Sequence, residues 1–216
     1  MISPLALHLR RAGHRAFSLL ELLVVLAIVG ILAALLIPSA GPMMSSYNLN
    51  RAGSMVTDEF NFARQTAITR NTDVEVRMYQ LGSKAAPTNL KFRAFRTFLA
   101  NSADSTQAAG LSKISYLPET IILSSDPKYS TMLDYTNTAR GGLSQGTETL
   151  PGKGAVTYVS FLFRSTGGTN LTPITDIWDL AVLVETAPVI ASTGLPSNYV
   201  AIQVDPVNGR VRSFRP

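Results

Sequence analysis

Glu21 is the residue whose type and position point most clearly to chemistry. It is the single charged residue in the run 17–37, which is otherwise almost entirely apolar. A carboxylate inside an apolar helix costs about 2–3 kcal/mol or more in a bilayer, depending on its depth. A residue this costly is seldom placed there without a use, so the pattern predicts a functional role for Glu21.

Three arginines near the end of the chain form a second candidate group. Arg210, Arg212 and Arg215 follow Asp205, after which no acidic residue occurs. Arg210 and Arg212 alternate along a predicted last strand, so both could reach nucleic-acid phosphates from one face. So few cations neutralise few phosphates, and such binding would be weak and strongly salt-dependent. A solvent-facing last strand is the favoured interpretation, and DNA binding is the alternative.

Residues 91–96, Lys-Phe-Arg-Ala-Phe-Arg, interleave basic and aromatic side chains. This pattern is typical of proteins that bind single-stranded nucleic acids. In a regular strand, however, Phe92, Ala94 and Arg96 share one face, whereas Phe95 lies with Lys91 and Arg93. Basic and aromatic side chains are therefore not separated onto the two faces of the strand, so we favour a half-buried strand with exposed cations.

The sequence lacks the residues that most catalytic and metal-binding sites require. The chain has no Cys, so thiol chemistry is excluded. Both histidines lie within the first 16 residues, so imidazole chemistry is excluded too if this leader is removed. The acids at 126, 134, 176 and 179 fit no calcium loop and are predicted to be solvated. No nucleophile motif is present. We predict no metal, no cofactor and no enzymatic activity.

The charge distribution orients the chain. The net charge is +5, and Arg10, Arg11 and Arg15 supply +3 of it; the remaining 16 basic residues (19 minus 3) against 14 acidic ones leave +2. The high isoelectric point therefore does not indicate a polyanion partner. Because the arginines precede the apolar run, residues 1–16 are predicted to be cytoplasmic and the rest to lie across the membrane.

The apolar run itself admits three interpretations. As a helix, residues 17–37 would span about 30 Å, which matches a bilayer core. The run is a secretory signal cleaved after it, for example after Ala40, or an uncleaved anchor, or a prepilin-type segment cut before it. Glu21 favours the third interpretation, because neither a signal peptide nor an anchor gains from a buried carboxylate.

The remaining elements are predicted from periodicity. Apolar residues spaced by four, four, three and four positions mark one face of a helix that ends near Asn71: Ala52, Val56, Phe60, Ala63 and Ala67. Strands are predicted at 74–79, 90–99, 114–117, 119–123, 156–163, 178–185, 199–204 and 210–214. Residues 205–209 are predicted to form the last turn, and the Gly/Ser/Thr-rich stretch 124–154 a long exposed loop.

The stretch from Ala16 to Glu21 resembles the prepilin peptidase site of type IV pilins and type II secretion pseudopilins. In that family cleavage falls just before a Phe, and a Glu is the fifth residue of the mature chain. The resemblance implies cleavage between Ala16 and Phe17, N-methylation of Phe17, and an assembly contact of Glu21 with the Phe17 amine of a neighbouring subunit. Ala16 stands where the family usually has Gly, and Pro38 matches a helix-kinking proline.

Three further segments resemble the minor pseudopilin GspH and FimT group: 62–74 at the end of the second helical region, 161–168 with an F-x-x-x-G turn, and 208–212 with a G-R-x-R ending. In FimT-like proteins of natural transformation this ending is linked to DNA binding. The resemblance thus implies an alternative DNA-binding role for Arg210, Arg212 and Arg215.

These observations predict an α+β protein, in which a long amino-terminal helix packs on a carboxy-terminal antiparallel β-sheet domain. Its predicted parts are a leader at 1–16, a transmembrane helix at 17–37, a continuing helix at 38–70 and a β-rich domain at 71–216. The resemblance implies a structural minor pseudopilin or pilin subunit. Its partners would be a prepilin peptidase, other subunits and an inner-membrane assembly platform. It would cross the bacterial inner membrane once, with a periplasmic carboxy-terminal domain.

Overall fold

The chain consists of two units, Met1–Pro42 and Met43–Pro216. A computed structural model describes residues 17–36, 40–100, 110–137, 140–173, 177–190 and 194–215. The predicted leader, with Ala16, and Pro38 lie outside the described residues.

Helix α1, Leu19–Leu36, is apolar on every side. Ser18 caps its first turn: the Ser18 carbonyl accepts a hydrogen bond from the Leu22 amide at 3.1 Å, and its hydroxyl accepts one from the Leu20 amide at 3.3 Å. Large apolar side chains of this helix are exposed, among them Leu19 at 87% and Leu26 at 62%. Within the described parts of the chain, no helix has the length and hydropathy required to cross a membrane.

Helix α2, Ala40–Arg70, supplies one apolar face to the domain. The five predicted face residues, Ala52, Val56, Phe60, Ala63 and Ala67, are all completely buried. The helix ends where Asn71 adopts a left-handed conformation, with φ of 49°, which asparagine tolerates better than most residues. The predicted helical face and its end are therefore confirmed.

In the part of the chain that the structure describes, a nine-stranded antiparallel sheet packs against this face. Its strands are β1 Val74–Leu81, β2 Lys91–Leu99, β3 Ser115–Tyr116, β4 Ile121–Leu123, β5 Ser144–Leu150, β6 Gly154–Phe163, β7 Trp178–Val184, β8 Tyr199–Val204 and β9 Val211–Phe214. The order across the sheet is β5-β6-β1-β2-β4-β7-β8-β9, with β3 paired to β2. The α+β prediction is confirmed.

The core lies between α2 and one face of the sheet. Phe60 packs edge-on against Phe161 and Phe163 of β6, with ring centroids 5.4 and 6.4 Å away. A polar contact also joins the two layers: Glu59 of α2 accepts a hydrogen bond from the buried Thr97 hydroxyl of β2 at 3.0 Å. Burial of aromatic rings supplies most of the stabilisation here, and the hydrogen bond satisfies a buried hydroxyl.

The prediction of a long exposed loop over residues 124–154 is wrong. Residues Thr131–Leu133 form a buried 3₁₀ helix, and Ser144–Leu150 is strand β5. The Thr131 hydroxyl donates to the Asp179 carboxylate at 2.8 Å, which fastens the 3₁₀ helix to β7. Strand β5 is mostly polar and has no hydrophobic periodicity, because pairing with β6 holds it at the edge of the sheet. The 3₁₀ helix buries Met132 and Leu133 in the core but is too short to show a period.

The packing of Phe60 leads to a stability prediction. Phe60→Ala leaves a cavity between α2 and β6 and should lower the free energy of unfolding by about 3–5 kcal/mol. Phe62→Ala, at a side chain that is 42% exposed on the same helix, is the matched control and should cost less than about 1 kcal/mol. Urea unfolding of the fragment 43–216, followed through the buried Trp178, measures both. Equal losses would contradict the core placement of Phe60.

Candidate functional site

The amino-terminal segment places Phe17 and Glu21 at the start of α1. Phe17 precedes the helix and is 74% exposed, and Glu21 is an exposed acid of its first turn. Glu21 lies three residues after the capping Ser18, the position at which a glutamate completes a capping box and faces the positive end of the helix dipole. The geometry therefore offers Glu21 a local structural role besides the predicted assembly contact. Ala16 is outside the described residues.

The three segments that resemble the GspH and FimT group meet at one point. The Arg64 guanidinium, from the end of α2, donates to the Gly167 carbonyl at 3.2 Å and to the Asn208 carbonyl at 2.9 Å. Gly209, with φ of 63°, lies so close that an added Cβ would be 2.3 Å from the Gly167 oxygen. These motif residues thus form a structural joint between the helix and two turns. No sequence signal showed that they would meet.

The tail arginines do not form one cluster. β9 begins at Val211, so Arg210 precedes the strand, and Arg212 alone lies within it. Arg212 pairs in register with Gln203, on the sheet face opposite α2, and is exposed. Arg215 instead donates hydrogen bonds to Asn50 of α2 and, at 2.8 Å, to Asn198. Among the described residues, Arg210 and Arg212 are therefore the tail arginines whose guanidinium groups have no partner and could contact phosphates.

The prediction for the stretch 91–96 is wrong in its faces and in its exposed cations. Pairing between β1 and β2 shifts after Tyr79: this residue faces Ala94, but Gln80 faces Phe92, so Arg93 is an extra residue in a bulge. The bulge brings Phe92 and Phe95 onto the same, core-facing side. Arg93 is 94% buried and donates to Glu185 at 2.6 Å, which rules it out as an exposed cation.

A buried ionic cluster that the sequence analysis missed occupies the sheet face opposite α2. Arg77 of β1 is only 4% exposed and donates to Glu75 at 2.7 Å and to Glu148 of β5 at 3.0 Å. The Tyr79 hydroxyl donates to the same Glu148 oxygen at 2.7 Å. The Arg77 guanidinium also stacks over the rings of Phe98 and Tyr158, at 4.1 and 4.6 Å. The cluster ties the edge strand β5 to the middle of the sheet.

Burial and charge shift the pKa values in this cluster. Burial raises the pKa of Tyr79 well above its ordinary value, and the hydrogen bond to Glu148 and its negative charge raise it further. Burial alone would lower the pKa of Arg77, but the hydrogen bonds and charges of its glutamate partners raise it overall. Arg77 stays charged and Tyr79 neutral across the physiological range, so the cluster is built for structure rather than for proton transfer.

The acids considered for calcium have other partners. Asp179 accepts hydrogen bonds from Thr131, Asp126 from the Lys128 amide and Asp134 from the Thr136 hydroxyl. Residue 176 lies outside the described residues. In the part of the chain that the structure describes, no group of three or more acidic or histidine side chains could hold a metal ion.

The Tyr79 hydroxyl gives a pH-dependent prediction. Since folding raises its pKa above the reference value of 10.0, its stabilisation is complete below about pH 10 and declines as pH rises further, because the unfolded chain ionises first. Tyr79→Phe should lower the free energy of unfolding by about 1–2 kcal/mol at pH 8, and by less at pH 11. Urea unfolding at both pH values measures this. Tyr47→Phe, at an exposed ring, is the control; a Tyr79→Phe deficit independent of pH would contradict the prediction.

The arrangement of the tail also limits any DNA binding. If Arg210 and Arg212, the tail arginines without a side-chain partner among the described residues, make the phosphate contacts, the logarithm of the affinity for duplex DNA should fall against the logarithm of salt concentration with a slope no steeper than about −2. The double change Arg210→Ala and Arg212→Ala should abolish this dependence, whereas Lys153→Ala, in the turn after β5, should not. A steep slope, or one unchanged by the double substitution, would show that the tail does not account for binding.

Comparisons with known proteins bear on the amino-terminal segment and the fold. The family model described as the prokaryotic N-terminal methylation motif matches residues 11–37. No curated protein matches the sequence. The solved structure of the minor pseudopilin EpsH from the type 2 secretion system of Vibrio cholerae is similar, with a TM-score of 0.41 and 12% identity, over 78% of this chain and 98% of that chain. This chain therefore carries, at residues 11–37, the prepilin-type methylation motif that Phe17 and Glu21 predict.

Proposed function

We propose that this chain is a structural subunit of the pilin type, a minor pseudopilin or pilin of a type II secretion or type IV pilus-like filament. The observation that carries the proposal is the methylation motif at residues 11–37, in which Glu21 is the single charge of the apolar run. The α+β domain offers a helix-supported sheet for contacts with other subunits.

The exposure of α1 supports anchoring in a membrane and then in a filament. A helix that is apolar on all sides is stable only where lipid or other apolar surfaces cover it. Its large side chains are exposed in the single chain, from Leu19 to Leu32. We propose that residues 17–37 lie in the inner membrane, with the β-rich domain in the periplasm, until an assembly platform extracts the subunit. Apolar helices of neighbouring subunits then cover this surface.

Glu21 gives the assembly its register in this proposal. A prepilin peptidase cleaves between Ala16 and Phe17 and methylates the new amine. The Glu21 carboxylate of an incoming subunit pairs with that amine on its neighbour. An isolated charge in lipid is costly, whereas a paired one costs far less, so one stagger between subunits is favoured over others.

Mass spectrometry of the amino terminus of the cellular protein tests processing. The expected mature chain begins with N-methylated Phe17, because a small residue at position 16 fits the peptidase as glycine does. Ala16→Gly restores the residue usual in pilins and should be processed at least as completely. A mature protein that keeps Met1 would contradict the proposal.

The role of the Glu21 charge can be separated from that of the helix cap. Glu21→Gln retains a side chain that can complete the capping box but removes the charge. It should therefore lower incorporation into filaments at least about tenfold, the effect of losing one favourable ion pair in lipid. The measurement is the ratio of subunit in sheared filaments to subunit in membranes. Ser18→Ala, which removes the capping hydroxyl alone, is the matched control. Normal incorporation of Glu21→Gln would show that capping, not charge, explains Glu21.

A further inference from the structure

The last strand leaves one edge of the sheet open. Within the described residues, β9 is terminal in the strand order and pairs with β8 alone. The Asp205 amide donates to the Arg210 carbonyl at 2.9 Å. Because bonded and non-bonded pairs alternate along an antiparallel ladder, the backbone groups of Arg212 point to β8, and those of Val211 and Ser213 point away from the sheet. Their amides and carbonyls are available to another strand.

A groove runs beside this edge, between β9 and α2. It encloses about 240 Å³ and is lined by Asn50, Gly53 and Ser54 of the helix and by Val200 and Ser213 of the sheet. Gly53 and Ser54 contribute little side-chain volume, and Phe214 and Arg215, the latter held by Asn50, complete the lining. A groove between a helix and an open sheet edge is the geometry that accepts an extended peptide, with alternate side chains entering the groove.

Charge on the other face of the same edge selects the kind of peptide. Arg212 lies on the face opposite α2, and Arg210 precedes it in the turn. Among the described residues, neither has an acidic side chain within ion-pair distance. The other edge differs: Glu148 of β5 turns inward to Arg77 and Tyr79. The open edge at β9 thus carries uncompensated positive charge.

We propose that β9 is a docking site for an extended acidic segment of a partner polypeptide, which joins the sheet as an additional strand. Its backbone would bond to Val211 and Ser213. Small apolar side chains on one face would enter the groove beside α2, and acidic side chains on the other face would pair with Arg212. The inference goes beyond the proposed function and requires neither cleavage at Phe17 nor the charge of Glu21, so its failure leaves that function untouched.

A labelled peptide tests the site. The full chain in detergent is titrated into acetyl-Glu-Val-Glu-Val-Glu-Val-amide carrying a fluorophore, and fluorescence anisotropy is recorded. We expect saturable binding that weakens about tenfold or more when alternate peptide nitrogens are methylated, since this removes backbone hydrogen bonds but no charge. Lysine in place of glutamate in the peptide should abolish binding.

Protein variants locate the binding. Ser213→Pro removes an outward amide, and Arg212→Glu reverses the charge without touching the backbone; each should weaken binding about tenfold or more. Lys153→Glu, a charge reversal at the opposite edge, is the matched control and should leave it unchanged. The proposal is overturned if the peptide does not bind, if the N-methylated peptide binds equally well, or if Arg212→Glu has no effect. It is also overturned if a duplex oligonucleotide, and not the peptide, binds in an Arg212-dependent way.

Discussion

The burial of one face of α2 against one face of the sheet is the constraint on which the domain depends. Alanines at 52, 63 and 67 let the helix approach the strands closely, and Phe60 fills the remaining space against the aromatic rings of β6. This contact decides which face of every strand is the inner one. It also places Arg64 where it can hold the turns at Gly167 and Asn208.

The outer face of the sheet is stabilised by ionic and cation–π contacts. It carries the ionic cluster around Arg77, whose desolvated guanidinium is satisfied by two carboxylates and two aromatic rings. A buried cation that lost a partner would be strongly destabilising, so the cluster specifies one position for β5. The two edges of the sheet consequently differ: Glu148 holds β5 to the sheet, whereas β9 has outward backbone groups, and Arg210 and Arg212 have no ion-pair partner among the described residues.

The apolar surfaces of α1 and α2 differ in how they are covered. α2 has one apolar face, and the same chain covers it. α1 is apolar on all sides, and its side chains are exposed in the single chain. Covering such a surface requires lipid or other apolar surfaces, so the stability of α1 depends on its surroundings rather than on contacts within the chain. The energetic cost of the Glu21 carboxylate in that helix depends on the same surroundings.

The sequence by itself determined what local periodicity and motif spacing encode: the buried face of α2, the end of that helix at Asn71, most strands and the methylation motif around Phe17 and Glu21. Tertiary structure alone decided the rest. The bulge at Arg93 shifts the alternation of side chains between the two sheet faces, so the exposure predicted from a regular strand is wrong there. Strand β5 has no hydrophobic period because it is a polar edge strand. Glu148 lies 71 positions from Arg77 in the chain, and only strand pairing brings them together. Contacts over such distances depend on register, which no local pattern records.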